Sequence, residues 1–474
     1  MSEGDARAGR AGLWLTLLVA GAFFMENLDG TVITTAVPDI ARSFGVAALD
    51  LNVAVSAYLL ALGVFIPISG WVAERYGARR VFAAAIAVFT IASVSCGLAR
   101  GLPAFAWCRV LQGVGGAMMV PVGRLVVLNN TPKDKLISVI ATLTWPALVA
   151  PVLGPPVGGF IASYLGWRWI FYLNVPLGAI AFALALFLVP AGAPAPRRPF
   201  DWPGFLLGGG ALFCITWAAE HLGRPDAALA GALAWLAAGA VLLAVEVVHL
   251  RRAAHPLVDL DTLKVPTFSV TILGGTLFRM AVGAVPFMLP LMFQLGFGLS
   301  AFHAGLLMVA VFGGNLAMKL ATTGVLRRHG FRRTLLVNGA LHVAALAACA
   351  LLTPATPIWL IAAVLFAGGM TRSMQFTALN TIAFVDMPQA RMATANTLFS
   401  TVFQLAMGLG IGLGALAVRL GGWIAPRLGW QGVAAIDYRL AFLVIALVSL
   451  CGLSGAWKLP ATAGDAVARK PKAA

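Results

Sequence analysis

The sequence predicts an all-α membrane protein of fourteen transmembrane helices. Three observations predict it: long apolar stretches, a scarcity of charge, and an alternation in where the basic residues fall. The chain has 474 residues, 60% apolar and 11% charged, where soluble globular proteins carry about 25% charged residues. A helix needs about 20 mostly apolar residues to cross a bilayer. Such stretches lie near 13–37, 50–72, 81–99, 104–128, 136–162, 170–190, 203–219, 228–250, 267–295, 304–325, 334–352, 357–380, 394–418 and 438–459. With the N-terminus in the cytoplasm, 21 of the 33 Lys and Arg fall on or beside cytoplasmic connections and tails, and seven fall outside. Five, Arg109, Arg124, Arg279, Lys319 and Arg372, lie within spans. That bias places both termini in the cytoplasm by the positive-inside rule and predicts a multi-pass protein of the bacterial inner membrane.

The connections are too short to hold a soluble domain; the longest are 191–202 and 251–266. The net charge of +16 is scattered over short loops with few aromatics between the positive residues. It therefore speaks for orientation and attraction to anionic lipid headgroups rather than for nucleic-acid binding. Five cysteines show neither metal-ligand spacing nor a disulfide framework. His-Glu-x-x-His, Gly-x-Ser-x-Gly and phosphate-binding loops are missing from the sequence. Neither an enzyme nor an ATP-driven pump is expected, and no metal or cofactor.

The element order carries an internal repeat. The loop after span 2 reads Glu74-Arg75-Tyr76-Gly77-Ala78-Arg79-Arg80, and the loop after span 10 reads Arg327-Arg328-His329-Gly330-Phe331-Arg332-Arg333. Arg, Gly and the Arg pair recur at identical spacing, eight spans apart. Span 5 is rich in Gly and Pro, and span 13, again eight later, carries Gly408, Gly410, Gly412 and Gly414. Two matched features at one offset predict two six-helix bundles, residues 1–190 and 267–474, the second ending in a short basic tail. Between them, 191–266 supplies two inserted transmembrane helices with cytoplasmic linkers, expected as a peripheral spacer.

Several strings resemble the 14-helix drug:proton antiporter branch of the major facilitator superfamily. Span 1 has Leu28-Asp29-Gly30-Thr31-Val32-Ile33, running on to Ala36-Val37-Pro38, and Gly70 to Arg80 follows span 2. Span 4 has Arg109-Val110-Leu111-Gln112-Gly113-Val114-Gly115-Gly116-Ala117, span 5 has Gly154-Pro155-Pro156-Val157-Gly158-Gly159, and Trp167-Arg168-Trp169 and Asn174-Val175-Pro176 come next. Gly115 to Arg124 and Pro286 to Gly305 are closest to a bacterial multidrug-exporter subgroup. The likeness covers essentially the whole chain. Two departures are Glu26, three residues before the span-1 Asp, and Glu74 where Asp is commoner. The resemblance implies the major facilitator fold, two six-helix bundles plus two extra helices. It also implies that Gly154, Pro155, Gly158 and Gly159 form an antiporter motif lining the contact between the halves.

The residues support a proton-coupling reading on physical grounds. An acid inside an apolar helix is costly unless it faces a cavity or a partner, and such acids serve ion pathways. Asp29 lies ~12 Å from the outer end of span 1 and Arg109 ~8 Å inside span 4, so depth selects Arg109 as its partner. Glu26 stands one turn deeper on the same face, and Gln112 and Gly116 continue the Arg109 face. Asp29, Glu26 and Arg109 are the candidate proton-coupling group. Together with Gln112, Arg279, Met288, Arg372, Gln375 and Asn380 they make the candidate substrate cavity. Arg279 and Arg372 are expected to face the cavity or to pair with carbonyls and polar neighbours such as Gln375 and Asn380, whereas Lys319 and Arg124 are expected to snorkel toward the membrane surface. Gly70, Glu74, Arg75, Gly77, Arg79 and Arg80 are the candidate cytoplasmic latch, whose charge pairs break on opening.

The expected function is proton-coupled export of amphipathic small molecules by a monomer driven by the proton gradient, with lipid, protons and substrate as partners. An exporter of one anionic or zwitterionic metabolite, favoured by the embedded arginines, and a non-transporting sensor are the alternatives.

Overall fold

The computed structural model describes residues 3–46, 51–132, 135–191, 199–223, 229–299, 301–430, 434–460 and 462–464; a few helical side chains, Pro155 among them, lie outside the description. The first helices are α1 (Glu3–Phe44), α2 (Asn52–Phe65), α3 (Ser69–Tyr76), α4 (Ala78–Leu98), α5 (Leu102–Asn129), α6 (Leu136–Tyr164), α7 (Arg168–Tyr172) and α8 (Asn174–Leu188). The inserted segment forms α9 (Trp202–Gly223) and α10 (Leu229–Arg252). Then come α11 (Pro266–Leu291), α12 (Ala301–Leu351), α13 (Ile358–Val385), α14 (Met392–Ile424), α15 (Ile436–Gly452) and α16 (Ser454–Trp457). No strand occurs among the described residues.

Eleven helical stretches among those residues are long and apolar enough to cross a membrane, and α6 and α9 hold the shorter apolar stretches Leu136–Trp145 and Trp202–Ala218. The expected spans 10 and 11 lie together in the single stretch His303–Leu351. Two helices meet within α12: Gly330 (φ +73°, ψ 170°) takes a non-helical backbone that favours glycine and kinks the chain between the two spans. Gly77 (φ +87°) does the same between α3 and α4. Proline supplies the other breaks. Pro67 sits in the 3₁₀ turn that separates α2 from α3. Pro286 and Pro290 lie within α11, which runs into a π turn at Met292–Gly296.

The two parts of the chain use the same helix pairings. α1 packs on α6 as α11 packs on α14; α4 packs on α5 as α12 packs on α13; α4 packs on α8 as α12 packs on α15. Small residues permit the first pairing in both. A Cβ on Gly154 of α6 would overlap the Thr31 side chain, and one on Gly410 of α14 would stand 3.0 Å from Gly283 Cα of α11. The repeated loops also act alike. Arg79 donates to the Leu186 carbonyl near the end of α8. Arg332, two residues after Gly330 as Arg79 is after Gly77, donates to the Trp457 carbonyl at the end of α16 at 3.2 Å.

The seam between the two parts is formed by α6 against α12 and α13, and by α3 and α5 against α14. Its side-chain contacts include Gln389 to Asn129 at 3.0 Å and Asn396 to the Pro121 carbonyl at 2.8 Å. These lie toward the end that carries the basic loops, and they join the two parts there.

Of the inserted pair, α9 is not peripheral, whereas α10 packs mainly on α9 and stays largely exposed. α9 touches α2 on one side of the seam and α14 on the other. Phe205 meets Phe65 at 5.8 Å, Phe200 meets Trp71 at 4.9 Å, and Ala232 of α10 packs with Ala415 of α14. A glycine run makes this possible, since a Cβ at Gly209 would come within 3.1 Å of Val64. One carboxylate ties the two ends of the insertion together. Asp201 accepts from Gly204 N at 3.0 Å, His249 Nε2 at 2.8 Å and Leu257 N at 3.1 Å. Burial pushes its carboxyl up, but these donors and the His249 charge outweigh that and hold it below its ordinary value.

Candidate functional site

The centre of the first bundle holds a closed polar cage. Asp29 (α1) and Arg109 (α5) meet at 2.6 Å, with no side-chain surface of either exposed. Gln112, one turn after Arg109, accepts from Arg109 Nη1 at 2.6 Å and donates to Asp29 Oδ1 at 2.9 Å. Asn174, the first residue of α8, donates to the same Oδ1 at 2.9 Å and to Ser93 Oγ of α4 at 2.9 Å. Ser93 passes the chain on to the Phe171 carbonyl at 2.9 Å. The Arg109 guanidinium stands 4.3 Å from the Tyr58 ring centroid of α2, while its Nε and Nη2 lack hydrogen-bond partners. Side chains of α5 and α8 thus close on one carboxylate of α1, backed by α2, α4 and α7. Both oxygens are satisfied, which is the condition for burying a charge.

Glu26 lies one turn along α1 and is half-buried rather than sealed. A Cβ at Gly116 would stand 3.5 Å from Glu26 Oε1 and 3.6 Å from Tyr58 Oη, so Glu26 shares the wall of the Asp29 cage. It is within electrostatic reach of Asp29 and Arg124.

The remaining candidates separate into distinct places. Arg279 (α11) is buried at the seam, donating to the Thr271 carbonyl at 2.9 Å and to Asn380 Oδ1 at 3.3 Å. Gln375 belongs to a different group, accepting from Asn338 at 3.0 Å and donating to the Leu335 carbonyl at 3.2 Å. Arg372 lines a recess inside the second bundle with His342, Leu346 and Phe442. Met288 is fully buried in the core of that bundle. Arg279 thus meets a carbonyl and Asn380 as expected, whereas Arg372 lies apart from Asn380 in that recess. Positions 372, 375 and 380 point around α13, whose faces meet different helices. Lys319 does not snorkel; its ammonium bridges Thr144 of α6 at 2.6 Å and Thr377 of α13 at 2.8 Å. Arg124 is likewise held at the seam, 5.1 Å from the Phe399 ring centroid and 3.4 Å from Ser400 Oγ.

In the loop group, Gly70 lets α3 approach α14 so closely that a Cβ would overlap Thr397, and Trp71, Glu74 and Asp201 line a recess beside it. Arg75 lies over Trp71 at 5.2 Å. Gly77 forms the turn, Arg79 caps α8 and Arg80 is exposed. Of the Gly-Pro string, Gly154 is buried against Thr31 of α1, within the first bundle. Gly158 is buried, Gly159 is half-buried with open space where a Cβ would stand, and the Pro155 side chain lies outside the described residues.

Sequence reasoning missed Asn174, Ser93 and Tyr58 as members of the cage. A signal existed, since isolated polar residues in otherwise apolar spans seek one another. Nothing in the sequence says which helices are neighbours.

A sequence profile described as the Major Facilitator Superfamily matches residues 19–411. A protein of Pectobacterium carotovorum with the provisional name multidrug resistance protein MdtD is 37% identical over 406 residues, 85% of this chain and 86% of its own. A Salmonella paratyphi A protein of the same provisional name is 36% identical over 416 residues, 86% and 87% of the two chains. Among solved structures, the proton:xylose symporter XylE bound to 6-bromo-6-deoxy-D-glucose matches with a TM-score of 0.64 at 14% identity, covering 96% of this chain and 97% of that one. The human organic anion transporter MFSD10 (TETRAN) matches with a TM-score of 0.63 at 12% identity, covering 95% and 99%. At such identities the two structures speak for the fold alone.

Proposed function

Because the chain belongs to the major facilitator superfamily and is a multi-pass membrane transporter, we propose that it is a proton-coupled antiporter exporting amphipathic small molecules across the bacterial inner membrane. In this reading the chain crosses the membrane fourteen times with both termini in the cytoplasm. Bundles 1–190 and 267–474 rock about the seam as a monomer, and no cofactor takes part. The names of the MdtD relatives support a drug-exporting role.

The observation that carries the coupling is the Asp29–Arg109 pair within the cage of Gln112 and Asn174. The carboxylate is the proton carrier. Protonating Asp29 removes the charge that holds the guanidinium and turns one acceptor oxygen into a donor. Arg109 then loses its only ion-pair partner among the described residues, and α1, α5 and α8 lose the bonds that join them. A proton entering from outside therefore loosens the contact between those helices, and its release inward restores it. Glu26, beside the cage and not sealed, hands protons to Asp29. Gly70 against Thr397, Gln389 with Asn129 and Asn396 with the Pro121 carbonyl are the contacts that must part when the cytoplasmic end opens.

The test is flux in proteoliposomes under an imposed pH gradient, screened across a panel of amphipathic compounds. Wild-type protein should couple substrate movement to counter-movement of protons, and Asp29→Asn should abolish the coupling while remaining folded. A folded Asp29→Asn protein with full coupling would overturn the reading.

A further inference from the structure

Three cations lie along the seam, none of them in an ion pair among the described residues. Arg124 comes from α5, Arg279 from α11 and Lys319 from α12. Arg124 and Arg279 share one ring, standing 5.1 Å and 4.8 Å from the Phe399 centroid, and each lies within the other's electrostatic reach. Lys319 reaches the same region through α13. Its partner Thr377 lies three residues before Asn380, the partner of Arg279, on one helix face. Glu26 and Arg124 feel each other's charge but form no ion pair among the described residues.

Arg279 is fully buried while Arg124 beside it is only partly so; burying a cation next to another without a counter-charge is costly, and the ring of Phe399 offsets only part of that cost. Unused donors point to what is missing. Arg279 is 1% exposed and its Nε has no partner, and Asn315, one turn before Lys319 on α12, is fully buried with neither side-chain amide atom bonded. Arg124 belongs to one bundle and Arg279 to the other, so an anion between them would replace a repulsion across the seam by two attractions.

We propose that Arg124, Arg279 and Lys319 form the binding site for the carboxylate head of an aromatic or amphipathic anion, whose apolar body packs on Phe399 and Phe403. The proposal rests on the exporter reading above and names its substrate class. Phe403 extends the apolar wall, 6.2 Å from Phe399 and 5.7 Å from the Arg279 guanidinium. Binding of the head draws the two bundles together, so occupancy itself favours the closed seam.

The experiment measures binding to the full-length protein in nanodiscs, with empty nanodiscs as control. The probes are 2-naphthoate, its neutral analogue 2-naphthylmethanol, and tetraphenylphosphonium. Naphthoate should bind at least tenfold more tightly than naphthylmethanol. Arg279→Gln and Lys319→Gln should each weaken naphthoate at least tenfold and leave naphthylmethanol unchanged, which also reports that the variants fold. Arg279→Lys should keep naphthoate within about threefold of wild type, because it keeps the charge. No naphthoate binding, equal affinity for the neutral analogue, tighter binding of tetraphenylphosphonium, or equal losses in Arg279→Lys and Arg279→Gln would each overturn the proposal. A pH-gradient flux assay separates the two readings. Naphthoate that binds but is not moved removes the antiporter and keeps the site; proton-driven efflux of tetraphenylphosphonium without naphthoate binding does the reverse.

Discussion

Asp29 and Arg109 lie 80 positions apart in the sequence, yet their carboxylate and guanidinium meet at 2.6 Å with neither side chain exposed. Neither carboxylate oxygen of Asp29 is left without a hydrogen bond. On the proposed antiporter reading the acid must open to water in another conformation, and Glu26 beside it is the less deeply buried of the two.

The pair should be more expensive to halve than to remove. Breaking a buried ion pair by deleting one partner costs about 3–5 kcal/mol, whereas replacing both is often close to neutral. Arg109→Leu should therefore lower the thermal unfolding temperature of the purified protein sharply. Asp29→Asn with Arg109→Gln should recover most of the loss but none of the proton coupling. Equal destabilisation in the single and double variants would mean that the two charges do not act as a pair.

Close packing of α1 on α6 should depend on the absence of a side chain at Gly154. An added methyl meets Thr31, and overpacking of this kind costs about 1–3 kcal/mol. Gly154→Ala should reduce heat stability and transport together, and Thr31→Ala in the same chain should restore part of both. A second change at a distant α6 position should restore neither.

Cross-linking should report the seam. Asn129 and Gln389 are hydrogen-bonded across it at 3.0 Å. Cysteines at the two positions, in a chain with the native five replaced, should cross-link readily and stop transport until reduced. Normal flux with the link intact would show that these ends need not separate.

The Asp201 knot should keep the inserted helices seated on both bundles. Asp201→Ala removes an N-terminal cap and the His249 contact, and cap loss alone costs about 0.5–2 kcal/mol. The variant should fold, with greater protease access at 199–201 and 253–258. Because its carboxyl is held below the ordinary 3.8, Asp201 stabilises the folded protein fully above about pH 4. That contribution is lost only as the pH falls through the lower folded value. Any loosening of the insertion between pH 5 and 8, read by protease access, would belong to another group.

Hydropathy and charge made much of this protein legible without coordinates, because both are properties of short windows. The membrane class, the repeat of Gly77 and Gly330 with their arginines, and the depth match of Asp29 with Arg109 follow from apolar run length, loop charge and a fixed rise per residue. Which helices touch is another matter. Helices that are apolar nearly all round carry little periodic signal to say which face is inward. Their neighbours are chosen by small-residue contacts and by the few polar groups that must be satisfied away from water. Only the tertiary structure therefore brought Asn174 and Ser93 to Asp29, set Arg124 and Arg279 on one phenylalanine, parted Arg372 from Asn380 around α13, and laid α9 across the seam.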